Sequence, residues 1–146
     1  MKKKLLSLLL LFTAVASIAQ VTITPSSFNV TDQITITVST AAQACNLMGT
    51  TPTKVYMHAG IGDDSNTFGF SVVGNWGQDD SVGLMTNNGN GTWSITLTPS
   101  TYFGLNGTQQ ANATKLGMVF RNANGSQTLK LPPSCGDFIF NVGTFQ

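Results

Sequence analysis

From residue 21 onward the chain alternates apolar and polar positions in short runs. VTIT (21–24) opens the series. QITITVS (33–39) places Ile34, Ile36 and Val38 on one face, the period-two signature of a half-buried strand. KVYMHAG (54–60) sets Val55 and Met57 against Tyr56 and His58, and FSVVG (70–74) follows. LMT runs into NNGNG, a strong hairpin signal, and TWSITLT (92–98) then aligns Trp93, Ile95 and Leu97. KLGMVFR (115–121) aligns Leu116, Met118 and Phe120, TLKLPP follows the NANGSQ turn, and DFIFNVG (137–143) aligns Phe138, Phe140 and Val142. These inward residues form the expected core.

Between the strands lie turn-forming segments. SSFNVTDQ, AAQACNLMGTTPT, IGDDSNTFG and GTQQANAT read as loops, and PSTYFGL as a single helical turn. Short strands separated by turns, without an amphipathic helix, predict an all-β, Ig-like antiparallel β-sandwich.

Residues 1–20 follow a different pattern. MKKK is a basic start, LLSLLLLF an apolar stretch short for a membrane span, and AVASIAQ offers a small-residue cleavage point at Ala19-Gln20. The expected organisation is a signal peptide over 1–20 and a single module over 21–146, secreted or held at the cell surface. Without the leader, four bases face six aspartates, a net charge of −2. Such a charge-poor, mildly acidic surface draws neither nucleic acid nor anionic lipid, and no second apolar run predicts membrane insertion. Cys45 and Cys135 would then meet an oxidising compartment, where pairing is the expectation. The bridge closes a loop of about 90 residues, worth roughly 4 kcal/mol in the chain-entropy model.

The two tryptophans differ in context. Trp93 belongs to an alternating run and reads as core. Trp76 stands in VVGNWGQDD, outside any alternation and between Gly74 and Gly77. A ring displayed in this way can stack on the apolar face of a sugar, with Asn75, Gln78, Asp79 and Asp80 as hydrogen-bonding neighbours. The opposite reading folds the ring back as a lid on the core.

Catalysis finds little support. The acids are Asp32, Asp63, Asp64, Asp79, Asp80 and Asp137, mostly in polar loops, and no nucleophile-elbow motif surrounds a serine. GDDSN (62–66) and GQDD (77–80) carry oxygens suited to a hard cation, but neither has EF-hand spacing. No metal or cofactor is expected.

Four stretches carry a resemblance: CNLMGTTPTKVYMHAGIGDDSN, FGFSVVGNWGQDDSVGLMTNNGNGTWSITLTPSTYFGL, KLGMVFRNANGSQTLK and CGDFIFNVG. The chain resembles small β-sandwich domains of secreted and surface glycan-utilisation proteins of Gram-negative bacteria, which are similar to starch-binding carbohydrate-binding modules. The resemblance implies a non-catalytic module whose partner is a polysaccharide or oligosaccharide, an α-glucan of the starch type, with a catalytic domain of a parent protein as a further partner. It makes Trp76 the binding ring and Trp93 the core ring. Phe68 and Phe70 stand where larger aromatic rings are expected in good sugar binders. The alternative is a structural or adhesive Ig-like spacer with no small ligand.

Overall fold

A computed structural model describes residues 20–143. The expected signal peptide, apart from Gln20, lies outside the described residues. Nine strands and two short helices follow in chain order: β1 Val21–Thr24, β2 Ile34–Ser39, β3 Tyr56–Gly62, β4 Ser71–Val73, β5 Thr86–Asn87, β6 Thr92–Leu97, α1 Pro99–Tyr102, α2 Gly107–Asn112, β7 Lys115–Arg121, β8 Thr128–Leu129 and β9 Phe138–Asn141.

The strands form two antiparallel sheets. The first has the order β1-β2-β6-β5. In the second, β3 lies between β4 and β7. The far edge of β7 is shared end to end, with β9 along Lys115–Met118 and β8 along Phe120–Arg121. This is the strand arrangement of an immunoglobulin sandwich, in which the first, second, fifth and fourth strands make one sheet and the third, sixth and seventh the other. The fold is an all-β antiparallel sandwich of that type.

Period-two alternation positions the core, because one face of each sheet must turn inward. Facing residues meet in register across β2 and β6: Ile34 with Leu97, Ile36 with Ile95, Val38 with Trp93. Val55, Met57, Leu116, Met118, Phe120 and Phe138 complete the layer from the other sheet, and all are buried. Ile95 and Phe140 are only partly buried and pack against this cluster. Phe140 is on β9, which among the described residues pairs with β7 alone.

Two segments depart from the sequence reading. β3 runs on through Ile61 and Gly62, which the pattern assigned to a loop. GTQQAN, expected as loop, is the helix α2. No residue of this helix is buried, so hydrophobic period cannot reveal it. Its start is fixed by a capping box: the Asn106 side chain accepts from Gln109 N (2.9 Å), and the Gln109 side chain accepts from Asn106 N (3.0 Å).

Cys45 and Cys135 form a disulfide, with Cα atoms 5.4 Å apart. It joins the β2–β3 connection to the segment before β9. The same connection is stitched to β8 by Leu47 N donating to Thr128 O (2.9 Å) and Lys130 N donating to Cys45 O (3.1 Å). The bridge is compatible with an extracellular protein. Among the described residues no helix is long and apolar enough to cross a membrane.

Candidate functional site

The inward side chains of β3 are Met57, Ala59 and Ile61, which leaves Tyr56, His58 and Gly60 on the outer face of the second sheet. The loop that follows β4 folds over this face and carries Trp76. The indole is 45% exposed. It meets the His58 ring in a T-shaped contact, with ring centroids 5.3 Å apart and planes at 82°.

Two glycines make this seat possible. A Cβ at Gly74 would fall 2.0 Å from His58 Nδ1. A Cβ at Gly125, in the β7–β8 turn, would fall 2.8 Å from Trp76 Nε1, and the residue has φ +71°, a conformation suited to glycine. Gly74 therefore clears space for the histidine beneath the indole rather than for the indole itself.

The loop is held from below by Arg121, which is buried at the end of β7. Its guanidinium donates four bonds to backbone carbonyls. Nη2 reaches Asn75 O (2.8 Å) and Gln78 O (3.0 Å); Nη1 reaches Asn122 O and Ala123 O (both 3.0 Å). One side chain thus ties the Trp76 loop to the β7–β8 turn. Its Cζ lies 4.4 Å from the centroid of Tyr56 and 5.9 Å from that of Trp76. The planar fork serves four carbonyls at once, more than the three N–H groups of a lysine ammonium can satisfy.

The remaining polar residues of the stretch frame the same loop. Asp79 pairs with Lys54 Nζ (2.8 and 3.0 Å) and accepts from the Tyr56 hydroxyl, which also reaches Asp80 O (2.9 Å). Asp80 accepts from Asn75 Nδ2 (2.8 Å) and from Val82 N (2.9 Å). The bond from Lys54, then that from Tyr56, holds the Asp79 carboxyl below its ordinary range. The Asn75 amide and the Val82 N–H do the same for Asp80. Burial, and then the Asp79 bond, pushes the Tyr56 hydroxyl up. Burial, and then Arg121, pushes His58 down. Both carboxylates are therefore ionised at neutral pH and have no proton to give to a leaving group.

All five residues singled out in the sequence lie in one loop, and the structure divides them by role. Trp76 presents its ring. The side chains of Asn75, Asp79 and Asp80 are engaged in hydrogen bonds within the frame. The exposed Gln78 amide completes the set. The supporting residues Arg121, Tyr56, His58 and Lys54 were not singled out. For Arg121 a signal existed: it is the chain's only arginine, and it immediately precedes the NANG turn.

The other candidate positions lie apart from this site. Trp93 is in the core, as expected. Asp63 accepts from Ser65 N (2.9 Å), Ser65 Oγ (2.6 Å) and Asn66 N (3.1 Å) in its own loop. Among the described residues no group of three or more His, Cys, Asp or Glu side chains is placed to hold a metal ion.

A search of curated proteins finds no match to the chain. A family model described as a domain of unknown function, DUF8578, matches residues 21–129, the span from β1 through β8 that contains the whole Trp76 platform. The chain belongs to that family.

Proposed function

We propose that this protein is a secreted, non-catalytic carbohydrate-binding module that takes an α-glucan through Trp76. The observation that carries the reading is a half-exposed indole locked on a loop whose backbone is fixed by a buried arginine. A ring held in this way is already in its bound position, so stacking on a sugar costs little ordering entropy. The sugar's apolar face suits the indole, and the Gln78 amide with the free lone pairs of Asp79 and Asp80 suits its hydroxyls. The α-glucan assignment comes from the sequence resemblance.

A spacer module of the same fold is the second reading. It is favoured by the commitment of Asn75, Asp79 and Asp80 to bonds within the loop.

Retention on insoluble starch, with cellulose and chitin as controls, tests the proposal. The wild type is retained with a Kd of roughly 0.1–1 mM, about −4 to −5.5 kcal/mol. Trp76→Ala is not retained and keeps a folded circular-dichroism spectrum. Retention of Trp76→Ala at the wild-type level places the site elsewhere. Absence of wild-type retention on all three glycans selects the spacer.

A further inference from the structure

Cleavage at the expected Ala19-Gln20 point makes Gln20 the first residue of the chain, one step ahead of β1. The register of β1 with β2, which pairs Val21 with Val38, sets Gln20 against Ser39. Ser39 N donates to Gln20 O (2.8 Å), one half of the exchange made by a hydrogen-bonded antiparallel pair. The other half belongs to the Gln20 backbone nitrogen, which the ladder aims at Ser39 O. The side chain aims there too, because Gln20 Nε2 donates to Ser39 O. Two nitrogens of one residue thus converge on one carbonyl, and the side-chain amide is folded back over its own α-nitrogen.

The surroundings favour an uncharged terminus. Gln20 is partly buried and shares an apolar cleft with Val21, Leu131, Phe138, Ile139 and Phe140. A terminal ammonium beside these side chains gives up part of its hydration. A terminus without a charge loses nothing by the same contact.

We infer that Gln20, once it is the first residue, closes to a pyroglutamate. The inference rests on the secreted part of the proposed function and is independent of any ligand. The α-nitrogen attacks Cδ of its own side chain. The N–Cδ bond forms, the Cδ–Nε2 bond breaks, and Nε2 leaves as ammonia with a proton from the α-nitrogen. No oxidant, reductant or second reactant is needed. The attacking amine must be unprotonated, and an α-amino group with a pKa of about 7.7–8.0 is so in part at neutral pH. The lactam keeps one N–H, in the position from which the ladder bonds Ser39 O. The closed chain therefore has no α-amine for an aminopeptidase to engage, and its first residue stays tied to β2.

The full-length chain, expressed with its leader in a Gram-negative host and recovered from outside the inner membrane, tests this. The terminal peptide is read by mass spectrometry and Edman degradation. It begins at Gln20 and is lighter than the open sequence by one ammonia. It yields no Edman product until pyroglutamyl aminopeptidase is added, and then reads from Val21. Gln20→Ala is open to Edman degradation from its first residue. A synthetic peptide of residues 20–28 carried through the same preparation stays largely open. A chain that begins at Gln20 with a free amine overturns the inference alone, as does a start at another residue after the leader or a block that persists in Gln20→Ala. Equal closure in the synthetic peptide assigns the ring to handling and also overturns it. A chain that retains residues 1–19 overturns the secreted reading, and this inference with it.

Discussion

The guanidinium of Arg121 lies 4.4 Å from the centroid of the Tyr56 ring, while the Tyr56 hydroxyl points the other way and bonds Asp79. The pair forms a small polar layer beneath the Trp76 loop. Removal of the arginine leaves four carbonyls without their donor, two of them in that loop. Arg121→Met should cost about 3 kcal/mol and change the fluorescence of Trp76. Arg121→Lys should recover little of this, because an ammonium cannot span the same acceptors. Denaturant melts of both variants, followed by tryptophan emission, check the point; a lysine variant as stable as the wild type would refute it.

Reduction of the Cys45–Cys135 bridge frees a loop of 90 residues. Cys45→Ser with Cys135→Ser should lose roughly 4 kcal/mol of stability through the added freedom of the unfolded chain. The β2–β3 connection keeps its backbone bonds to β8, so the folded state should survive in the double variant. Urea melts with and without reductant measure the difference.

Trp93 faces Val38 across β2 and β6 and is buried. Trp93→Ala should cost about 3–5 kcal/mol, the scale of deleting a core aromatic side chain. Trp76 is 45% exposed, and Trp76→Ala should cost far less. Equal losses in the two variants would mean that the Trp76 ring is part of the core after all.

His58 gives the stability a pH dependence with a defined sign. Burial and the nearby charge of Arg121 hold it below the ordinary imidazole value, and Nδ1 is buried without a hydrogen-bond partner. The folded state therefore favours the neutral ring. Between the ordinary value near 6.5 and the lower value in the fold, the unfolded chain binds more protons, so stability falls as pH drops through that window. The melting temperature should fall between about pH 7 and about pH 5, above the range where carboxylates titrate. His58→Gln should show a flatter profile; an identical slope in both proteins would assign the effect to another group.

Much of this fold was legible because strands with one buried face write their phase into every second residue. β2, β6 and β7 show it, and the residues that alternate there are the ones that meet in register. α2 was hidden because its helix is held by Asn106 and Gln109 rather than by an apolar stripe; the N-x-x-Q spacing was the available signal. Tyr56 was correctly phased outward, yet it is buried, because a loop from 18 or more residues later in the chain folds over it; strand period carries no information about such a cover. The polar residues near Trp76 were legible as neighbours but not as partners of one another. Whether Asp80 faces a ligand or the Asn75 amide depends on the turn, and the turn is set by an arginine from another strand.

The position of the disulfide also decides how the molecule carries load. Tension applied between Val21 and Val142 passes from Cys45 directly to Cys135 through the sulfur atoms and bypasses the 89 residues between them. β1, β2 and β9 lie outside that covalent ring and bear the pull. Trp76, His58, Phe68 and Arg121 all lie inside it. A module anchored at one end and dragged at the other would lengthen first at its outer strands, while the segment that carries Trp76 stays slack.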